Sequence, residues 1–257
     1  MVSPSMSPES RPDLATVSAR VADVQGWMSP GQASTLYDAA ANCPNGGTIV
    51  EIGSFQGRST IVLASAAAPG IEVVAIDPHA GNDRGPQEYD GFEDAAADDH
   101  ATFIANLEQA GVRDRVRHVR MFSDAALGEV EGSIDVLYID GAHRFAPARE
   151  DIRDWGARVG DGGTMLIHDS FSSIGVTLAI LRELLVGSRF RYVGRSRSMT
   201  IYRADLAGGL GARLSNAGRQ LAQLPWFVKN LAQKLALTLG LGKVLARFGR
   251  SVPEWPY

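Results

Sequence analysis

Short apolar runs alternate along this chain with longer stretches in which apolar positions recur every three to four residues, the pattern of strands alternating with helices. Five runs read as strands in sequence: Thr48–Ile52, Glu72–Ile76, Val116–Met121, Ile134–Ile139 and Thr164–Ile167. Helical spacing is expected over Arg58–Ala68, Ala96–Ala110, Ala125–Val130, Ala146–Val159 and Gly175–Val186. Ahead of them, Ser29-Pro30 opens a helix with Leu36, Ala39 and Ala40 on one face, which ends near Cys43-Pro44. Strands that are apolar on both faces belong in a parallel sheet covered by helices on each side. The runs Phe190–Val193 and Ser198–Tyr202 are separated only by a short polar turn, so they must pair antiparallel. The expectation is a Rossmann-like, doubly wound α/β sheet of seven strands with the last one reversed.

The two ends differ from this middle. Residues 1–22 are rich in Ser and Pro and are expected to be a disordered arm, followed by a domain over 23–205 and a helical tail over 206–257. The net charge of −4 is unevenly placed: the tail holds seven basic residues and one acid, Glu254, so it is +6 and the rest is −10. An acidic main domain excludes nucleic acid as its natural partner, because phosphate contacts need clustered Lys and Arg. In the tail, Leu224, Phe227, Val228, Leu231 and Leu235 form an apolar stripe with the lysines off it. That pattern leaves two roles open: packing on the domain or on a second copy in a homo-oligomer, or lying on anionic lipid. No stretch reads as a secretory leader or a membrane span, and the single cysteine, Cys43, excludes an intrachain disulfide. A cytoplasmic location is expected.

Candidate chemistry begins where the first strand ends. The segment TIVEIGSFQGRST places Glu51, Gly53, Ser54, Gly57 and Ser59 on a strand, a tight turn and the start of a helix. Such a turn aims backbone N–H groups and a helix N-terminus at one pocket. A dinucleotide fingerprint would read G-x-G-x-x-G; here the spacing is E-x-G-x-x-x-G, which points to a cofactor without a pyrophosphate. Asp77, 24 residues after Gly53 and at the end of the second strand, is placed to accept both hydroxyls of a ribose.

With these residues the sequence resembles class I S-adenosylmethionine-dependent methyltransferases over roughly residues 30–203. The resemblance implies that Glu51 lies near the methionine end of S-adenosylmethionine, that Gly53, Ser54 and Gly57 border it, and that Asp77 binds its ribose. It also implies a polar contact from Ser59 and an adenine-side contact from Ser123. A nicotinamide-dependent oxidoreductase and a noncatalytic binding module are the rival readings. The missing dinucleotide spacing speaks against the first, and the acid and histidine set described next against the second.

DVLYIDGAH puts Asp140 just past the fourth strand and His143 three residues on; GGTMLIHDS puts His168, Asp169 and Ser170 past the fifth. Neighbouring strands lie about 4.8 Å apart, so Asp140 and Asp169 can converge at the ligand-binding edge of the sheet. Two carboxylates facing each other call for a proton or a cation between them, and oxygen ligands of this kind suit Mg²⁺ or Mn²⁺. Beside them His143 is a candidate general base for a hydroxyl nucleophile. The D-x-x-H spacing with a later acid resembles metal-dependent sugar O-methyltransferases of macrolide tailoring and of methylmannose polysaccharide synthesis. That resemblance implies Asp140 and Asp169 as metal ligands, with Asp140 also bordering the cofactor, and His143 as the base. His168 stands where those relatives have an acid and Ser170 where catechol-type relatives have Asn; both are candidate ligands. A sugar or oligosaccharide hydroxyl is the expected acceptor, with a catechol or other phenol as the alternative. The long segment after Pro78 reads as a lid whose His79, Arg84, Tyr89 and Phe92 would face the acceptor.

Overall fold

The computed structural model describes residues 11–80 and 93–238. In chain order it contains α1 (Leu14–Arg20), α2 (Pro30–Ala41), β1 (Thr48–Ile52), α3 (Arg58–Ala66), β2 (Glu72–Ile76), α4 (Glu93–Gln109), β3 (Val116–Val119), β4 (Ile134–Ile139), α5 (Phe145–Glu150), β5 (Val159–Ile167), α6 (Ile174–Glu183), β6 (Arg191–Ser196), β7 (Met199–Arg203), α7 (Leu210–Leu221) and α8 (Leu224–Thr238). The strands form one sheet in the order β3-β2-β1-β4-β5-β7-β6. β1 to β5 pair in parallel, while β7 runs antiparallel to both β5 and β6. This is the Rossmann-like seven-stranded arrangement the alternation predicts.

Successive side chains of a strand face opposite ways, and here both directions are buried. Val50, Ile52, Val74, Ile76, Leu137, Ile139, Met165 and Ile167 build one core with α5 and α6. Ile49, Val73, Ala75, Val136, Tyr138 and Leu166 build the other with α1, α2, α3 and α4. Glu51 and Tyr138 are register partners on that second face, which fixes where the polar side chains near the site emerge.

Four features depart from expectation. The N-terminal arm is not disordered throughout: Asp13 caps α1 by accepting from Thr16 N, and Val17 and Val21 are buried in the second core. Burial of these two side chains is what holds the segment to the domain. The helix expected over Ala146–Val159 is α5 followed by a π-helical turn over Asp151–Trp155 and a 3₁₀ turn over Gly156–Arg158. Ala125–Glu129 is likewise 3₁₀, capped by Asp124. Strand β5 begins at Val159 instead of Thr164, with a register irregularity opposite Ile134–Val136.

Candidate functional site

In a sheet of this order, the connections leaving β1 and β4 depart to opposite sides, and the crevice at their carboxyl ends is where ligands bind. The strand ends are laced together there. Gly53 N donates to Ile76 O, Asp140 N to Ile52 O, and His168 N to Ile139 O, at 2.8–2.9 Å. Gly53 and Gly57 both take left-handed φ, +87° and +89°, which only glycine adopts without strain. A Cβ on Gly53 would lie 2.4 Å from Asp140 O. The absent side chain therefore lets the β1 turn and the β4 turn close on each other. Ser54 Oγ, in the same turn, is buried without a hydrogen-bond partner among the described residues. A buried hydroxyl left this way is costly unless a ligand meets it, and it fits the polar ligand that the turn implies.

Glu51 is fully buried, and the hydroxyls of Ser59 and Thr60 donate to its two carboxylate oxygens. Burial outweighs those two hydrogen bonds and, with the charges of Asp140 and Asp77, pushes its carboxyl up to about 8. Ser59 thus serves Glu51, with Thr60 as a second donor absent from the sequence reading. Asp77 accepts from Phe55 N at 2.8 Å and from His79 N at 2.7 Å. These bonds hold its carboxylate at the crevice edge and leave further lone pairs for a ribose. His79 does not face an acceptor: it is buried, its Nε2 donates to Phe55 O, and its ring packs on Phe103 and His118. Arg84, Tyr89 and Phe92 lie outside the described residues. Ser123 Oγ donates to Asp151 Oδ1 at 2.5 Å, which uses its one hydrogen. Burial pushes Asp151 up to about 7 against that bond, with Asp124, Glu150 and Asp154 adding to the rise.

At the ends of β4 and β5, Asp140, His143 and Asp169 each present a ligand atom within 4.8 Å of the others. His143 Nε2 is 2.5 Å from Asp169 Oδ2, and Tyr138 OH donates to Asp140 Oδ2 at 2.8 Å. Burial disfavours a charge on Asp169, but His168 and the His143 hydrogen bond hold it well below the usual carboxylate range. Asp169 and Phe171 have φ of 52° and 54°, a left-handed backbone that is strained for these residues and tends to cluster at functional sites. Ser172 N and Ser173 N, both donating to Asp169 O, help hold the turn in that shape.

Two expected ligands are corrected. Ser170 Oγ is buried between Ile167 O at 2.8 Å and Thr200 Oγ1 at 2.7 Å, on the β5–β7 side, and does not reach the acid pair. His168 does adjoin it, with Nδ1 3.1 Å from Asp140 Oδ1 and 3.4 Å from Asp169 Oδ2, too poorly aligned for a good hydrogen bond to either. Its other nitrogen is occupied: Gln32 Nε2 lies 3.2 Å from His168 Nε2. The Gln32 amide is oriented by its own contacts, since Oε1 accepts from Ser29 N at 2.7 Å in the capping box of α2, and Nε2 donates to Ser198 Oγ. Its hydrogens therefore face His168 Nε2, which must be bare, and the ring hydrogen sits on Nδ1, toward the carboxylates. Burial opposes a charged imidazole, and the negative Asp140 and Asp169 together outweigh it and push His168 well above the usual histidine range; against them, the N–H that Gln32 presents to Nε2 leaves no acceptor for a second proton. His168 thus turns an N–H toward the acid pair and has no lone pair there for a cation.

Gln32, Tyr138 and Gly175 went unnoticed in the sequence. A Cβ on Gly175 would come within 2.2 Å of His143 O and 2.7 Å of Phe145 N, so this glycine of α6 is the seat of the loop that carries His143. Only Gln32 had a local signal, the S-x-x-Q of a capping box.

The two carboxylates form an oxygen donor set that a divalent cation of the Mg²⁺ or Mn²⁺ type fits, with the His143 ring beside it engaged by Asp169. Comparisons with known proteins concern the domain as a whole. Residues 50–170 match the family model described as a methyltransferase domain. The chain is similar in structure to the O-methyltransferase NovP, with a TM-score of 0.55 at 16% identity over 69% of this chain and 81% of that one. It is also similar to a SAM-dependent O-methyltransferase from Thermotoga maritima, with a TM-score of 0.53 at 15% identity over 77% and 73% of the two chains. A protein from Corynebacterium glutamicum gives 0.53 at 13% identity over 78% and 94%. Residues 50–170 are thus similar to a methyltransferase domain, and the chain carries them on a Rossmann-like fold.

Proposed function

We propose that this protein is an S-adenosylmethionine-dependent O-methyltransferase acting on a hydroxyl of a sugar or glycoside, assisted by a divalent cation. The observation that carries the reading is the convergence of Asp140, His143 and Asp169 at the carboxyl edge of the sheet, next to the glycine turn of β1. A methyl sulfonium needs no activation; an aliphatic hydroxyl does. In the transfer, the acceptor oxygen forms a bond to the methyl carbon as the carbon–sulfur bond breaks, leaving S-adenosylhomocysteine, and the hydroxyl proton must go to a base. His143 Nε2 is engaged by Asp169, so Nδ1 is the atom that takes the proton, while Asp169 orients the ring and stabilises the imidazolium. Asp140, steadied by Tyr138, and Asp169 would hold the cation, which when bound lowers the pKa of a coordinated hydroxyl. Glu51, Ser54 and Asp77 would receive the methyl donor along the β1 and β2 ends.

The Asp169→Ala variant tests this. It is expected to bind S-adenosylhomocysteine in calorimetry about as well as the wild type. Methyl transfer to sugar acceptors should fall by at least about 10²-fold, the scale of a general base or its orientation. Paramagnetic resonance should show Mn²⁺ bound by the wild type and not by the variant, which separates the cation role from the orientation of His143. Wild-type turnover in Asp169→Ala would sink the mechanism. Failure of the wild type to bind S-adenosylhomocysteine would sink the methyltransferase reading itself.

A further inference from the structure

Helix α8 has two apolar faces, and the domain covers one of them. On the inner side Leu224, Trp226 and Phe227 pack against the α5/α6 core, Asn230 Nδ2 donates to Phe171 O at 3.1 Å and Lys234 Nζ to Ser172 O at 3.0 Å. The helix is thereby clamped to the turn that follows Asp169. On the outer side Val228, Leu231 and Leu235 recur at helical spacing and are 63%, 39% and 59% exposed. Leu210, Leu214 and Leu221 of α7 repeat the pattern one helix earlier, all exposed. Three large apolar side chains in two turns of a helix form a patch that water does not favour.

Charge says what kind of surface would cover it. From Leu206 to Pro253 the chain has no acidic residue and seven basic ones, Arg213, Arg219, Lys229, Lys234, Lys243, Arg247 and Arg250, whereas residues 1–205 carry −10. A net positive charge is thus confined to the segment bearing the apolar stripe, where Lys229 is exposed beside Val228 while Arg213, Arg219 and Lys234 reach carbonyls of the domain. Two copies pairing through this face would bring one net-positive segment against another, because a two-fold contact joins the same patch of both copies. An anionic lipid surface meets both features, taking the leucines at the headgroup boundary and the cations at its charge. Among the described residues no helix is long and apolar enough to cross a membrane, so the contact is a surface one.

We propose that the outer face of α8 seats on an anionic lipid surface. The acidic domain, repelled by the same surface, then stands away from it and the helix lies flat. This docking does not depend on which reaction the acid pocket performs.

Co-sedimentation of the full chain with vesicles tests it, using phosphatidylcholine alone and phosphatidylcholine containing about a third phosphatidylglycerol. The expected result is binding to the anionic vesicles only, weakened by salt. Changing Val228→Ser, Leu231→Ser and Leu235→Ser together should weaken that binding by about tenfold or more, with the circular dichroism and thermal melt of the soluble protein unchanged. No binding to either vesicle overturns the proposal, and so does a triple variant that binds as well as the wild type. Sedimentation velocity covers the other occupant: a wild-type dimer that the triple variant makes monomeric, without vesicle binding, assigns the face to a second copy and also overturns it.

Discussion

Gln32 shows how one side chain can set the state of another. Its Oε1 is tied to Ser29 N at 2.7 Å, so its two amide hydrogens go to Ser198 Oγ and His168 Nε2. An imidazole nitrogen facing an N–H donor has to be an acceptor. His168 is then neutral, with its hydrogen on Nδ1, and supplies a dipole instead of a charge to Asp140 and Asp169. Histidine labelled with ¹⁵N should report that tautomer for His168 at neutral pH in the wild type. Gln32→Glu places an acceptor opposite Nε2 and should turn the ring into the doubly protonated form. A doubly protonated His168 in the wild type would show that the carboxylates override the amide. Nothing in the sequence announces this relation, because Gln32 and His168 are 136 residues apart. The acids and histidines of the cluster were legible for a different reason: Asp140 and Asp169 directly follow apolar strands, where chain direction alone puts them at the ligand edge.

At the scale of elements, the legible part is what alternation encodes. The five parallel strands and the closing β6–β7 hairpin follow from apolar runs and one short turn. Strand β5 was read short because Gly160-Asp161-Gly162-Gly163 looks like a turn, yet Val159 pairs with Ile134 across an irregular register. Helix α1 was missed because Ser and Pro dominate its surroundings, although Leu14, Val17 and Val21 keep helical spacing and Val17 and Val21 are buried. The α5–α6 contact is another tertiary fact invisible in sequence, and it concerns the base. Gly175 lets the backbone of residues 143–145 lie on α6, and an added methyl would meet His143 O at 2.2 Å, a backbone atom that cannot rotate away. Gly175→Ala should therefore cost about 1–3 kcal/mol of stability, the usual scale of overpacking. By displacing His143 it should also lower turnover by up to about 10²-fold, the effect of a misplacement near 1 Å. Binding of S-adenosylhomocysteine should change little, since the β1 turn is elsewhere. Urea melts and steady-state kinetics on this variant check both effects; unchanged kcat in a folded Gly175→Ala protein would mean that the loop does not position the base.

For the whole molecule, the two buried acids make stability depend on pH in an uncommon direction. Glu51, pushed up to about 8, and Asp151, pushed up to about 7, both by burial above all, keep protons in the folded chain that the unfolded chain releases near pH 4. Where the folded state binds more protons, stability falls as pH rises. Their contribution is complete below the unfolded values and is lost as pH climbs through about 7 and then about 8. His118, whose imidazole burial lowers to about 4, acts in the opposite sense. There the unfolded chain takes the extra proton, and stability is lost as pH falls below about 6.5. The two effects separate if measurements stay between about pH 6.5 and 8, where the Glu51 share amounts to about 1–2 kcal/mol and the Asp151 share to less. Urea unfolding of the ligand-free protein across that window should show stability declining. Glu51→Gln, which keeps one of the two acceptor oxygens that Ser59 and Thr60 use and cannot ionise, should remove most of the slope, and Asp151→Asn a smaller part. The same slope in wild type and Glu51→Gln would mean that Glu51 is already ionised in the folded protein. A cation nearby favours the ionised carboxylate, and the sulfonium of the proposed methyl donor would supply one, so the wild-type slope should also flatten when S-adenosylmethionine is added.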